Sequence, residues 1–310
     1  MNKTVKATLA ALLAVGATQA AHAQTVASPE TSTGGETVYV SGGDYDYAPQ
    51  NHNGLNINGA VGLPLNPTAD IPNTSGVRVQ VNYFDGPRIN VPGGDADSKY
   101  YGIFAAGRAG DTPLEISGGL AKFDVNSDLG FGSAVDNAIE DALDKSGIVI
   151  GAKYQLRGSG EDGRGVRIAV GAGYNRALVK NVHAYLVASK AFGVGRRNIN
   201  THAGIRYDRF KYDAGFAGFD ASSSKVSAFV GAEVPLDRKG HFNLVGEYGT
   251  RTADEDDFLS SAPYSLSLRY QNGKGFAING GIARMGLLSK SSGFIDADGS
   301  RFFISAGQSF

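Results

Sequence analysis

Two histidines are the side chains of this sequence best suited to acid–base chemistry. His183 and His202 each stand in a segment whose polar and apolar residues alternate, and both fall on the polar side. A hydrolase needs a serine nucleophile, a histidine base and an orienting group within reach of one another. Serines are plentiful, but neither histidine belongs to a His-x-Ser pair, and no Gly-x-Ser-x-Gly motif is present. The sequence therefore predicts a protein that is not an enzyme.

Charged side chains recur on the same side of these segments as the two histidines. The candidates that join His183 and His202 are Arg78, Lys153, Arg167, Arg206, Arg269, Glu115, Glu233 and Glu247. Charges of both signs on one face either pair across an interior and fill it, or line a water-filled path whose slight basic excess favours anionic solutes. Glu247 and Arg269 fall in neighbouring segments, so we expect an ion pair between them.

The sequence offers little for a metal ion, a cofactor or a nucleic acid. Asp296-x-Asp298-Gly299 resembles part of a calcium loop, but the later ligands and the terminal Glu are missing, so a solvated turn is predicted. Cysteine is absent, and 29 basic residues balance 30 acidic ones, which indicates no basic surface for nucleic acid. We predict neither a metal site nor a cofactor.

The alternating segments are predicted β-strands. Twelve are expected, at 76–84, 98–107, 113–123, 147–157, 165–175, 181–190, 198–208, 225–235, 241–250, 263–271, 274–284 and 301–310. Most have about ten residues, the length that a tilted strand needs to cross a bilayer. Long links follow the odd-numbered strands and short links the even-numbered ones, except for the short link 176–180. This asymmetry is typical of a barrel with extracellular loops at one end and periplasmic turns at the other.

Aromatic residues on the apolar sides of the strands cluster near the strand ends. That placement predicts two aromatic girdles at the lipid interfaces, whereas a soluble sandwich would bury its large rings mid-strand. The girdle residues predicted near the long links are Tyr83, Tyr100, Tyr174, Tyr207, Tyr248, Tyr264 and Phe302. Those predicted near the short turns are Tyr154, Phe242, Tyr270, Phe276 and Phe310.

The residues before the first strand divide into two parts. Residues 1–23 combine Lys3 and Lys6, a short apolar run and an Ala-His-Ala end, which together predict a secretory signal peptide. Residues 24–75 are rich in Gly, Pro, Asn, Ser and Thr, a composition typical of a flexible periplasmic leader. The alternative is that Leu55 to Leu65 folds back into the barrel as a plug or adds a strand. Residues 76–310 are predicted to form the barrel itself.

These features together resemble the bacterial outer-membrane β-barrel proteins as a class. The resemblance rests on the signal peptide, the dyad repeat over residues 76–310 and the terminal Phe310. It implies an all-β fold, a single antiparallel up-and-down barrel of about 12 strands in the outer membrane, in contact with lipids and lipopolysaccharide. It also implies that the barrel assembly machinery recognises Phe310. A second resemblance, carried by "NGLNINGAVGLPLNPTADIPNTSGVRVQVNYF", is to outer-membrane barrels associated with exopolysaccharide export.

The function expected of such a barrel is a narrow channel or an export-associated pore for small polar or anionic solutes, for example saccharides. A closed structural or adhesive barrel, whose loops contact another surface, is the alternative class. A lipid hydrolase embedded in the barrel is the minor alternative. Composition and spacing give no indication of the oligomeric state.

Overall fold

In the computed structural model, the chain forms a closed antiparallel β-barrel. The structure describes residues 54–72, 76–91, 94–128, 137, 145–158, 165–177, 179–194, 197–213, 220–237, 239–253, 260–272, 275–286, 296–298 and 300–310. The predicted signal peptide, residues 1–23, and residues 24–53 of the predicted leader lie outside this part of the chain. Within the described ranges, no helix is long and apolar enough to cross a membrane.

The wall of the barrel is built from strands that follow one another around it. They are β1 (Val77–Val91), β2 (Gly94–Arg108), β3 (Leu114–Asp128), β4 (Lys145–Arg157), β5 (Arg167–Asn175), β6 (Lys180–Val194), β7 (Arg197–Asp213), β8 (Asp220–Pro235), β9 (Phe242–Gly249), β10 (Tyr264–Gln271), β11 (Ala277–Arg284), β12 (Asp296–Asp298) and β13 (Arg301–Ser309). The short β12 and the longer β13 pair with successive parts of β1, so the two share one position in the wall. Because β1 also pairs with β2, the ring is closed. The predicted twelve-stranded all-β barrel is confirmed.

Several strands run further than the alternation predicts. β1 and β2 continue to Val91 and Gly94, through a link that the sequence predicts to be a long loop. β7 and β8 likewise extend to Asp213 and Asp220. Ladder pairing continues in these extensions because it joins backbone groups and needs no apolar face. The pattern of side chains therefore marks where a strand has two different faces, and does not mark where its pairing ends.

The alternation in β10 shows how the sequence sets the two faces of the wall. Leu266 and Leu268 are 49% and 48% exposed on the outer surface, between Tyr264 and Tyr270 near the two ends of the strand. Ser265, Ser267 and Arg269, which alternate with these outward-facing residues, are buried inside the barrel. A slip of one residue would exchange these faces, so the alternation fixes the register of the strand.

The predicted short link after β10 is closed by a side chain as well as by the backbone. The Asn272 N–H donates to the Phe276 carbonyl at 3.0 Å, and Asn272 Oδ1 accepts from the Phe276 N–H at 3.1 Å. Gly275 has a φ of 92°, in the left-handed region that glycine adopts without strain. The turn residues thus match the backbone conformation that the hairpin needs.

Residues 54–72, called the inner segment below, lie inside the barrel. The segment folds on itself through two bridges, Leu55 with Val61 and Gly62 with Pro67. Leu55, Val61 and Leu65 belong to one buried cluster with inward-facing aromatic rings, among them Phe104 and Phe123. The boundary between leader and barrel at residue 75 stays a prediction, because residues 73–75 lie outside the described part of the chain.

A charge placed in the middle of the outer surface should destabilise the barrel. Leu266→Arg is expected to lower the free energy of unfolding by about 2–4 kcal/mol, the cost of a cation at the bilayer midplane. Leu236 follows β8 at the short-turn end and is 43% exposed, so Leu236→Arg is the matched control, with an expected cost of about 0–1 kcal/mol. Urea unfolding in lipid vesicles measures both values. Equal costs at the two positions would contradict the placement of Leu266 in lipid.

Candidate functional site

The Glu247 side chain on β9 accepts three hydrogen bonds from the inner segment. Its carboxylate accepts from the backbone N–H groups of Leu65 at 2.8 Å and Asn66 at 3.1 Å, and from Asn66 Nδ2 at 3.0 Å. The Ser265 hydroxyl on β10 donates to the same carboxylate at 2.6 Å. Hydrogen bonds to a charged acceptor are worth about 1.5–3 kcal/mol each, so this carboxylate is a strong attachment point.

A buried ion pair binds both backbone groups of Val61 in the inner segment, its N–H and its carbonyl. Glu115 on β3 accepts from the Val61 N–H at 3.0 Å, and Lys153 on β4 donates to the Val61 carbonyl at 3.0 Å. The two side chains also pair with each other, with 2.8 Å between Lys153 Nζ and Glu115 Oε2, and both are 0% exposed. The ion pair therefore replaces the water that would otherwise satisfy the backbone of Val61.

The other end of the inner segment is bound by β4, β5 and β6. Gln155 donates to the Ala69 carbonyl at 2.7 Å, and the Ala69 N–H donates to Ser189 Oγ at 2.9 Å. Asp70 pairs with Arg167 on β5, with 2.9 Å between Oδ1 and Nη1. Side chains from three strands thus bind two consecutive residues of the segment.

Starting at Ser189, polar side chains on β6, β7, β8 and β10 of the wall contact one another inside the barrel. Ser189 Oγ lies 2.8 Å from His202 Nδ1, and His202 Nε2 lies 3.3 Å from Glu233 Oε1. Glu233 Oε2 in turn lies 2.8 Å from Arg269 Nη1. The order Ser–His–Glu is that of a hydrolytic triad, although the two ring nitrogens are exchanged relative to the serine proteases. Ser189 is 1% exposed and its hydroxyl accepts from Ala69, so the array as it stands fixes the inner segment.

Side chains of β1 and β2 bind the start of the inner segment. Gln80 accepts from the Leu55 N–H at 2.9 Å and donates to the Leu55 carbonyl at 2.6 Å. Asn82 donates to the Asn56 carbonyl at 3.3 Å. The Tyr100 hydroxyl donates to the carbonyl of Ile57 at 2.9 Å. Including these contacts, seven strands of the wall bind the inner segment through hydrogen bonds or an ion pair: β1 to β6 and β9.

The ten residues assigned to the polar face all lie on the inner face of the barrel: Glu115 is buried, and so are the nine candidates for lining a pore. These nine are Arg78, Lys153, Arg167, His183, His202, Arg206, Glu233, Glu247 and Arg269. The predicted ion pair between Glu247 and Arg269 is wrong. The register places Ser265 opposite Glu247 and Asn243 opposite Arg269, so the two charges lie four residues apart along the strands. The role of the nine residues in lining a pore stays a prediction.

Tyr100 is the one predicted girdle residue that the structure places inside the barrel. It is 2% exposed, and Tyr101 takes the outer position, with its ring centroid 5.4 Å from that of Tyr83. Two consecutive tyrosines fit either phase of the alternation, which is why the sequence misassigned Tyr100. The other predicted girdle residues are half-buried or exposed: Tyr83, Tyr154, Tyr174, Tyr207, Tyr248, Tyr264, Phe242, Tyr270, Phe276, Phe302 and Phe310. Their contact with the lipid interfaces stays a prediction.

Sequence reasoning missed several residues that shape the interior. Asp208 on β7 binds Arg206, with 2.8 Å to its Nε and 2.5 Å to its Nη2. Gly231 on β8 gives Leu63 its place, since a Cβ on Gly231 would lie 2.3 Å from Leu63 Cδ1. Ser189 was missed because the sequence does not show that it lies opposite Arg167 in the sheet, near the end of the inner segment. The one signal in the sequence that indicated the inner segment was the run of alternating apolar residues after Gly54.

A pocket, called the vestibule below, opens at the long-loop end of the barrel. It encloses about 830 Å³ of empty space, part of which is open to solvent, and the inner segment forms one of its walls. Its larger apolar residues are Ile57, Leu65, Tyr100, Phe123, Phe210 and Met285. Its amide and guanidinium side chains are Asn58, Asn66, Asn175, Asn181 and Arg206.

The closed ring was compared with known proteins and solved structures. No protein-family model and no curated protein matches the sequence. An outer-membrane channel from Pseudomonas putida F1 is 13% identical, with a TM-score of 0.52, and the match covers 79% of this chain and 100% of that one. The chain has the fold of an outer-membrane β-barrel. The translocator domain of the autotransporter NalP from Neisseria meningitidis also matches, at 15% identity and a TM-score of 0.42, over 77% of this chain and 89% of that one.

Loss of the Lys153 ammonium should leave a buried, uncompensated carboxylate. Lys153→Met is expected to lower the free energy of unfolding by about 3–5 kcal/mol, because Glu115 then keeps its charge without its cation. The double variant Lys153→Met/Glu115→Leu is the matched control and should recover part of the loss, since no charge remains buried at that point although the Val61 N–H loses its acceptor. Denaturant unfolding measures both. A double variant as unstable as the single variant would contradict this account of the ion pair.

Proposed function

We propose that this protein is a channel in the bacterial outer membrane whose passage is closed by the inner segment. The observation that carries the proposal is the set of contacts from seven wall strands to the backbone and side chains of residues 54–72. The segment pairs with itself at its two bridges, and side chains rather than a ladder attach it to the wall. Such attachments can exchange with water one at a time, so the segment can leave without opening the sheet.

The proposed solutes are small and polar, with saccharides as an example. Once the inner segment moves, the passage presents the buried polar face of the wall. The ion pairs Lys153–Glu115, Arg206–Asp208 and Arg269–Glu233 stay with the wall, whereas Asp70 leaves with the segment. The loss of Asp70 removes the partner of Arg167 in this ion pair, which favours a weak preference for anions.

The proposed location rests on the barrel fold together with the two predicted targeting features. The predicted signal peptide at residues 1–23 would direct export, and Phe310 would be the end that the assembly machinery recognises. Phe310 is 53% exposed beside the closing pair of strands, where its N–H donates to the Val77 carbonyl at 3.0 Å. Lipids and lipopolysaccharide are the proposed surroundings of the outer surface.

A disulfide between the inner segment and the wall should lock the channel shut. The chain has no cysteine, and Leu63 lies against Gly231, so Leu63→Cys/Gly231→Cys supplies one defined pair. In planar bilayers, we expect the oxidised double variant to conduct at least tenfold less often than the same protein after reduction. The single variants are the controls and should not respond to reductant.

Deletion of residues 54–72 completes the same experiment. The deleted barrel should conduct continuously, because within the described part of the chain only the side chains of the wall then remain around the passage. Full conductance of the oxidised double variant would contradict closure by the inner segment. A folded, deleted barrel that never conducts would instead favour the second class of function, a closed structural or adhesive barrel.

A hydrolase is the second candidate, and the Ser189–His202–Glu233 array is the observation that favours it. The array can act only after Ala69 releases the serine hydroxyl. Labelling with a fluorophosphonate probe tests this function in the variant that lacks residues 54–72. We expect no labelling beyond that of the same deletion with Ser189→Ala. Stoichiometric labelling that depends on Ser189 would overturn the assignment as a non-enzymatic channel.

A further inference from the structure

We propose that the vestibule binds a small neutral molecule that joins an apolar ring or chain to one hydroxyl group, and that this ligand holds the inner segment inside the barrel. The binding site itself is argued from the vestibule alone. Only the effect on conductance rests on the proposed channel function.

The polar side chains that line the vestibule already form hydrogen bonds within the protein. Asn175 Nδ2 donates to Asn58 Oδ1 at 3.0 Å, and Asn175 Oδ1 accepts from the Ala177 N–H at 2.8 Å. Asn66 Nδ2 donates to Glu247 at 3.0 Å. A saccharide that entered the vestibule would therefore meet few free partners for its hydroxyl groups, and each buried hydroxyl without a partner is costly. The surface left for a ligand is formed by rings and aliphatic side chains, which favours an apolar body.

The charge of Arg206 is compensated where it borders the vestibule. Its guanidinium binds the Asp208 carboxylate, with 2.8 Å from Nε and 2.5 Å from Nη2, and both residues are buried. An anionic ligand would compete with this carboxylate and would also lose its own hydration. The vestibule is therefore better suited to a neutral molecule than to an anion.

Asn181 supplies the reason for a hydroxyl group on the ligand. Its Nδ2 donates to Asp208 at 3.0 Å, and within the described part of the chain its Oδ1 has no hydrogen-bond partner. The residue is 6% exposed and lines the vestibule. A buried acceptor without a donor is destabilising, so a ligand that brings one O–H gains a hydrogen bond here at little desolvation cost to the protein.

The residues that line the vestibule determine whether a bound ligand stabilises the closed or the open state of the channel. Ile57 and Leu65 of the inner segment line the vestibule together with Phe123 and Phe210 of the barrel wall. The site is complete only while the segment is inside. A ligand shifts an equilibrium toward the state that it binds better, so an occupant of the vestibule stabilises the closed state and does not open the channel.

A single tryptophan can report binding directly, because the natural chain has none. We choose Phe210→Trp in lipid nanodiscs as the reporter, Phe123→Trp as a second reporter if the first does not fold, and benzyl alcohol as the probe. The control is Phe242→Trp, 44% exposed on the outer surface at the short-turn end. Fluorescence in the vestibule variant should change and saturate, whereas the control should show only the linear change of partitioning into lipid.

Two comparisons test the chemistry of the site. Added Asn181→Leu should weaken benzyl alcohol binding about fivefold, the worth of one neutral hydrogen bond. Glucose should give no saturable change in the vestibule variant. Saturation with glucose and not with benzyl alcohol would overturn the proposed ligand class. A linear response in both Phe210→Trp and Phe123→Trp would overturn the site.

Conductance tests the effect of the ligand on the inner segment. Saturating benzyl alcohol should lower the open fraction of the natural protein about threefold or more, and should leave the variant without residues 54–72 unchanged. Saturable binding with an unchanged open fraction would overturn the stabilisation of the closed state. If no form conducts, the proposed channel function fails, while the fluorescence comparison still decides the binding site.

Discussion

Backbone polar groups removed from water must find partners, and both parts of this molecule are arranged around that constraint. The wall satisfies it by closing: β13 pairs with β1, so the first and last strands of the ring have neighbours on both sides. The inner segment cannot use a ladder, because its path is irregular. Some of its peptide groups bond to one another, and others are satisfied by side chains of Glu115, Lys153 and Glu247.

The two solutions differ in how easily they can be undone. A ladder along a whole strand breaks only cooperatively, whereas separate side-chain contacts can be lost singly and regained. A continuous ladder around the wall and separate side-chain contacts to the inner segment are the combination that the proposed channel requires. The buried carboxylates contact both parts: Glu115 and Glu247 accept from the segment, and they also pair with Lys153 and Ser265 of the wall.

Strand number and the orientation of most strands could be predicted because both depend on local alternation. β10 illustrates this, with Leu266 outside and Arg269 inside as expected. Tyr100 was misassigned because Tyr100 and Tyr101 fit both phases, and only pairing with Phe84 and Tyr83 on β1 decides between them. The path of the inner segment depends on contacts between distant residues, such as Leu65 with Glu247, and its local composition is that of a flexible chain.

The closed wall is a ring made of a single β-sheet. Lateral pressure from the surrounding lipid easily flattens such a ring. The inner segment contacts β1 and β2 at one point, β3 and β4 at a second and β9 at a third. Contacts at three separate places around the wall resist flattening of its cross-section. In the proposed channel, the residues that close the passage would also set its cross-section, so their departure would widen the path and leave the wall free to change shape.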